Sequence, residues 1–232
     1  MNIGNGFMMS SPEFCFLQMA ERLTLIELIE LGYELCGVYS LPLGDERDIP
    51  RSGFFNRKQL TSTKRLHEFL SLTSGAKGHK KAMRALRYLC DGSASPMETK
   101  LTMLLCLPHM LGGYALDLPD LNKRIMLPKN LRRYFYNEYY VCDLYWPGKK
   151  VVVEYDSDIH HTGSERISND SKKRNTLASM GVMVVSITRL QVKNSKELEM
   201  AIKTVTKLMG RRLQIKSSSF YAARLELRKQ LL

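Results

Sequence analysis

A chain of 232 residues with 44% apolar content is long enough to bury one substantial core or two small ones. It has no run of 18 apolar residues and no basic-then-apolar leader, so a soluble cytoplasmic protein without a membrane span is expected. The formal charge of +12 suits a polyanionic partner, and five scattered cysteines in apolar segments (Cys15, Cys36, Cys90, Cys106, Cys142) fit neither a zinc site nor a disulfide framework.

Ser11-Pro12-Glu13 opens a first helix carrying Phe14, Phe16, Leu17 and Met19, and Thr24 caps a second that runs through Leu31. A basic, turn-rich connector around Pro50, Gly53, Phe54 and Phe55 follows. Two short helices are predicted near Ser62–Leu72 and Gly78–Leu89, the second basic along one face at Lys80, Lys81, Arg84 and Arg87. Asp91-Gly92-Ser93 reads as a linker, dividing a mainly helical N-terminal domain (1–92, a DNA- or partner-binding unit) from a second domain (93–232). Charge follows the same division: residues 1–92 hold 12 Lys plus Arg against 10 Asp plus Glu, and residues 93–232 hold 23 against 13.

Ser95-Pro96-Met97-Glu98 starts an apolar helix reaching Leu107. Ser-x-x-Glu is a capping box, which predicts a bond from the Ser95 amide to Glu98; the same Glu98 is a candidate site acid. Farther on, Lys123, Arg124, Lys129, Arg132 and Arg133 interleave with Tyr134, Phe135, Tyr136, Tyr139 and Tyr140. The cations are candidates for phosphate contact. The aromatics either stack on bases or pack inside, the latter favoured for Phe135, Tyr139 and Tyr140.

Two apolar strands then flank Pro147-Gly148, the first containing Asp143 and the second ending in Glu154-Tyr155-Asp156. A two-residue loop sets Trp146 opposite Lys149 and Asp143 opposite Val152, so Val152, Glu154 and Asp156 share the face of Asp143. Three carboxylates among valines and aromatics repel one another unless protons or a cation intervene. A hard divalent ion, Mg²⁺ or Mn²⁺, is one resolution; pairing with lysines and arginines on a solvated face is the other. Pro-Gly suits a type II turn better than the primed turns of two-residue hairpins, and a three-residue loop would invert one strand.

His160 and His161 follow the second strand. A helix is predicted from Ser168 or Asn169 to Met180, with Gly181 as its stop, and then a buried strand over Val182–Ile187 that leads into Thr188-Arg189. The order hairpin, helix, strand makes the helix a crossover between strands of one sheet. Ser195–Met209 is an amphipathic helix stopped by Gly210, and Phe220–Leu232 is a final helix or a tail that orders on DNA.

Asp143, Glu154, Asp156, His160, Asp170, Arg174, Leu177, Gly181 and Arg189, in this order, resemble the restriction-endonuclease-like (PD-(D/E)xK) superfamily. The similarity is to the branch near the very-short-patch-repair endonucleases and related uncharacterised bacterial proteins. Glu98 matches that pattern's helical Glu, and the resemblance covers residues 95–205. It implies an α/β fold, a mixed sheet flanked by helices, with metal-dependent hydrolysis of DNA phosphodiester bonds. Asp143, Glu154 and Asp156 would hold Mg²⁺ or Mn²⁺, with Glu98 in the same shell and His160 as general acid/base or water-positioning group. Lys172, Lys173, Arg174, Arg189, Arg132 and Arg133 would contact nucleic acid.

Two departures matter. Asp156 stands where the superfamily at large has Lys, as in the branch resembled, leaving water activation to His160, Lys172, Lys173 or the metal alone. Ser157 replaces a frequent Gly. Near the N-terminus, Ser10-Ser11-Pro12-Glu13 and the following Phe16-Leu-Gln-Met-Ala20 resemble abortive-infection antitoxin-type regulators. That resemblance suggests a setting in phage defence or mobile elements, with repair the other candidate setting. The alternative reading is a non-catalytic DNA-binding regulator or antitoxin-like protein on the same fold. RNA stays open as substrate. Double-strand cleavage would need a homodimer, and a toxin/antitoxin-type partner is the other expected association.

Overall fold

The computed structural model describes residues 6, 8–42, 49–132, 138–157, 164–211 and 218–232, with the backbone alone at 164–167. His160, His161, Arg133, Tyr134, Phe135 and Tyr136 lie outside the described residues.

Local caps place the first helices. In α1 (Pro12–Arg22) the Ser11 hydroxyl accepts the Phe14 amide, and in α2 (Leu25–Cys36) Thr24 and Glu27 form a reciprocal capping box. The expected connector contains a short antiparallel pair, β1 (Tyr39–Ser40) with β2 (Phe55–Asn56). Helix α3 (Thr63–Ser71) is capped by Ser62, and α4 (His79–Leu86) is shorter than the sequence suggests. Gly78, at φ +78°, precedes α4, and a Cβ there would sit 3.1 Å from the Leu17 carbonyl oxygen. Glycine thus permits both the backbone turn and the approach of α4 to α1.

After α5 (Pro96–Cys106) come β3 (Asp120–Met126), the single turn α6 (Lys129–Arg132), β4 (Tyr139–Trp146) and β5 (Val151–Asp156). Then follow α7 (Ser164–Ser179), β6 (Met183–Thr188), α8 (Arg189–Lys193), α9 (Ser195–Leu208) and α10 (Ser218–Leu231). The chain is a mixed α/β protein whose four-stranded sheet has the order β3-β4-β5-β6. The first three strands are antiparallel; β6 runs parallel to β5, with α7 as the crossover. No described helix is long and apolar enough to cross a membrane.

The hairpin departs from the expected register. Pro147–Lys149 forms a 3₁₀ turn, Lys150 takes φ +52°, and the pairs are Trp146↔Val151, Tyr145↔Val152 and Leu144↔Val153. Four residues form the loop instead of two, so the pairing shifts by two positions. Asp143 therefore falls one rung beyond the last pair, level with Glu154 and not with Val152. Helix α7 also starts earlier than expected, at Ser164.

One face of the sheet joins the main core. That core runs from Phe16, Leu28 and Tyr33 through Leu101 and Leu105 to Leu144, Val153 and Ile187, and on to Leu198, Val205, Phe220 and Leu227. The other face packs Ile125, Cys142 and Val152 against Leu177 and Val182, at the end of α7. Residues two apart on a strand normally share a face, yet Cys142 and Leu144 belong to opposite faces. Leu121 and Ile125 of β3 divide in the same way, and between them Asn122 sits at φ +48°. The alternation thus slips on both strands at neighbouring positions, around Asn122 and Asp143. α10 buries Phe220, Leu227 and Leu231, which settles the C-terminal segment as a helix.

Candidate active site

The slip in the sheet shapes the site. Where the β4–β5 ladder ends, Asp143 Oδ2 accepts the Tyr155 amide at 2.8 Å, so a carboxylate takes a backbone donor that has run out of ladder. Burial raises the Asp143 pKa from its ordinary value, opposed by the Tyr155 amide and by Lys173.

Glu154 occupies the face covered by α7. Its Oε2 accepts Lys173 Nζ at 2.9 Å, and the same ammonium reaches the Val141 carbonyl at 2.6 Å. Oε1 is buried without a hydrogen-bond partner among the described residues. Burial first, then the Asp143 charge, push Glu154 up to about 7, while Lys173 pulls the other way. Burial would lower the Lys173 pKa, but Glu154 more than compensates and the net shift is upward.

Glu98 approaches from α5 and is 7% exposed. It accepts the Ala94 amide at 2.8 Å, the Ser95 hydroxyl at 3.0 Å and Asn122 Nδ2 at 2.6 Å. Half of the expected capping box is present, because Ser95 Oγ accepts the Glu98 amide. The return bond goes to the Ala94 amide and the Ser95 hydroxyl, not to the Ser95 amide. Burial and then Asp143 raise the Glu98 pKa to about 7. Asp143 thus acts electrostatically on two acids, one on α5 and one beside α7. Asn122, which sequence reasoning missed, joins this group through its amide; asparagine tolerates the left-handed backbone found there.

A cavity of about 140 Å³ opens beside Glu154, lined also by Asp156, Asp170, Lys173, Arg174 and Ser186. Asp143 and Glu98 do not line it. Among the described residues no three of His, Cys, Asp and Glu converge into a metal-binding group. The expected triad is therefore a pair, Asp143 and Glu154, while Asp156 lines the cavity with Glu154 alone of the two. The orphaned Glu154 Oε1 beside a second buried carboxylate nevertheless fits a hard cation, which takes oxygen donors.

The expected cations are distributed unevenly. Lys173 and Arg174 meet the cavity, and Lys172 is exposed on α7. Arg189 is exposed one residue beyond Thr188, which is in register with Asp156. Arg132 is tied to its own loop, donating Nε to the Leu127 carbonyl at 2.7 Å and lying 4.0 Å from Glu138. Tyr139 and Tyr140 are half-buried; Arg124 stacks over the Tyr139 ring, 4.7 Å from its centroid, and Tyr140 packs on the α7-side core.

No protein-family model, curated protein or solved structure matches the chain.

Proposed function

We propose that this chain is a metal-dependent endonuclease that hydrolyses DNA phosphodiester bonds on a restriction-endonuclease-like fold. The observation that carries the reading is the pair of buried, mutually repelling carboxylates at the splayed end of β4 and β5, beside a cavity with Lys173 and Arg174 on its wall. Two such acids are costly to the fold and are accounted for by a cation-dependent reaction. Asp143 and Glu154 would hold Mg²⁺ or Mn²⁺, with Asp156 at the cavity wall. Bound there, the ion would supply Lewis-acid stabilisation of phosphoryl oxygen and a water of lowered pKa.

The chain's own residues do the rest. Lys173, held between Glu154 and the Val141 carbonyl, positions a water or a phosphate oxygen, filling the place left by Asp156 in the usual motif. Arg174 meets the scissile phosphate from the cavity wall. Glu98 stands behind the pair, its own proton held by burial and by the Asp143 charge.

Cleavage of supercoiled plasmid tests this. Asp143→Ala and Glu154→Ala are expected to abolish nicking, and Lys173→Met to lower kcat on the order of 10²-fold. Variants that nick like the parent would remove the assignment. A parallel single-stranded RNA substrate decides the sugar.

A second reading has its own support. Glu98 is engaged by three donors and Glu154 by Lys173, as in a structural polar network. On that reading the chain binds DNA without cutting it, and the parent protein itself would show salt-sensitive binding with no nicking in either metal.

A further inference from the structure

Between Glu68 and Asp91 the sequence carries five Lys or Arg and no acid. The helix in this stretch, α4, buries Ala82 and Ala85 against its neighbours and turns Lys80 and Arg84 to solvent, as does Arg87, which caps its C-terminal end in helical conformation. Those three are spaced i, i+4, i+7, so they form one row.

The neighbouring cations have intramolecular partners. Lys64 lies 3.9 Å from Glu68, Arg65 3.2 Å from Glu13, and Lys77 4.0 Å from Glu21. Lys81 donates to the Leu23 carbonyl at 2.8 Å, at the end of α1. Among the described residues no acid pairs with Lys80, Arg84 or Arg87.

This arrangement works against helix stability. α4 has no acid in its first turn and no side-chain cap, and Lys80 sits at the positive end of the helix dipole. Lys80 and Arg84 repel as a like-charge i, i+4 pair. External anions would relieve all of these strains at once. From Lys80 to Arg87 the rise is about 10 Å at 1.5 Å per residue, matching about three phosphate-to-phosphate steps of one duplex strand at 3.4 Å of axis each.

We propose that the Lys80–Arg84–Arg87 face of α4 is a binding site for the phosphate backbone of double-stranded DNA, separate from the Asp143–Glu154 site. A membrane surface fits less well, because the apolar side of α4 is spent on the core and leaves no face to insert. The helix packs on α1, α2 and α3; α2 in turn packs on α5, and α5 on β4. Two helices therefore stand between this face and the carboxylates, and the site serves to hold DNA, not to cut it. The choice of DNA rests on the proposed hydrolysis; the binding itself does not depend on catalysis.

The test is anisotropy of a labelled 25-base-pair duplex with the full chain, without divalent metal, across KCl concentrations. Lys80→Gln/Arg84→Gln/Arg87→Gln should make the slope of log K against log[salt] shallower by about 2.7, at about 0.9 per phosphate contact. Its melting temperature should be unchanged or higher. Lys193→Gln/Lys207→Gln/Lys229→Gln, an equal loss of exposed charge elsewhere, should change the slope by less than about 1. The parent should bind the duplex in this way whether or not it cleaves. An unchanged slope in the α4 variant overturns the proposal, as does an equal change in the control variant. So does binding of the parent to phosphatidylserine vesicles but not to the duplex.

Discussion

Asp143 is the residue on which the site's electrostatics turn, because its charge raises the pKa of both Glu98 and Glu154. An acid whose pKa rises on folding favours the native state while protonated. That contribution is complete below the unfolded value near 4.5 and is lost as pH climbs through about 7. The fold is therefore expected to be more stable at pH 5 than at pH 8 through these groups. Asp143→Asn keeps an oxygen for the Tyr155 amide and removes the repulsion. It should raise stability at pH 8 by about 1 kcal/mol and change little at pH 4, as read by denaturant melts at each pH. Lys173→Met does the opposite, leaving Glu154 without its cation. A loss of about 2 kcal/mol is expected at pH 8, and much less at pH 5, where Glu154 carries a proton. Equal losses at both pH values would contradict the pairing.

At the scale of elements, the helix starts at Ser11, Thr24, Ser62 and Ser95 and the stops at Gly181 and Gly210 were legible, because each rests on local chemistry that neighbours do not alter. The hairpin was legible only in part. Pro147-Gly148 marks the turn, but nothing in the sequence announces that Lys150 enters the left-handed region, and that residue lengthens the loop to four. The even shift keeps the parity of the three paired rungs, but the rung assignments changed and the alternation breaks at Asp143. Strand β3 was hidden altogether. Its buried Leu121 and Ile125 stand four apart, a helical spacing, because the slip at Asn122 breaks the two-residue period. That slip is expected to be structurally demanding. Asn122→Ala loses the bonds to Glu98 and to the Gly92 carbonyl and keeps an unfavourable φ, at a cost of about 2 kcal/mol. A variant as stable as the parent would mean that the sheet relaxes there.

Across the whole molecule, order and spacing single out Asp143, Glu154 and Glu98 as candidates, whereas their mutual geometry was not legible. Glu98 and Asp143 meet through Asn122 and a break in sheet alternation, which are tertiary facts. Asp143, Glu154 and Lys173 come together, and Asp156 lines the cavity with Glu154, but no compact three-acid cage forms among the described residues. The linker at Asp91-Gly92-Ser93 marks a change in composition and charge, while one apolar cluster continues from α1 and α2 through α5 to the sheet. Differential scanning calorimetry should accordingly give a single cooperative transition with matching calorimetric and van't Hoff enthalpies. Two transitions would mean that residues 1–92 and 93–232 fold independently.

Asp143 and Glu154 are proposed to hold a cation. Isothermal titration of Mg²⁺ and of Mn²⁺ into the protein, at pH 6 and pH 8, tests it most directly. Because Glu154, pushed up to about 7, must lose its proton to bind metal, affinity should be higher at pH 8 than at pH 6, and binding should vanish in Asp143→Ala. Binding that persists unchanged in that variant, or no binding at pH 8 even with a short DNA duplex present, would rule out a cation site at these carboxylates.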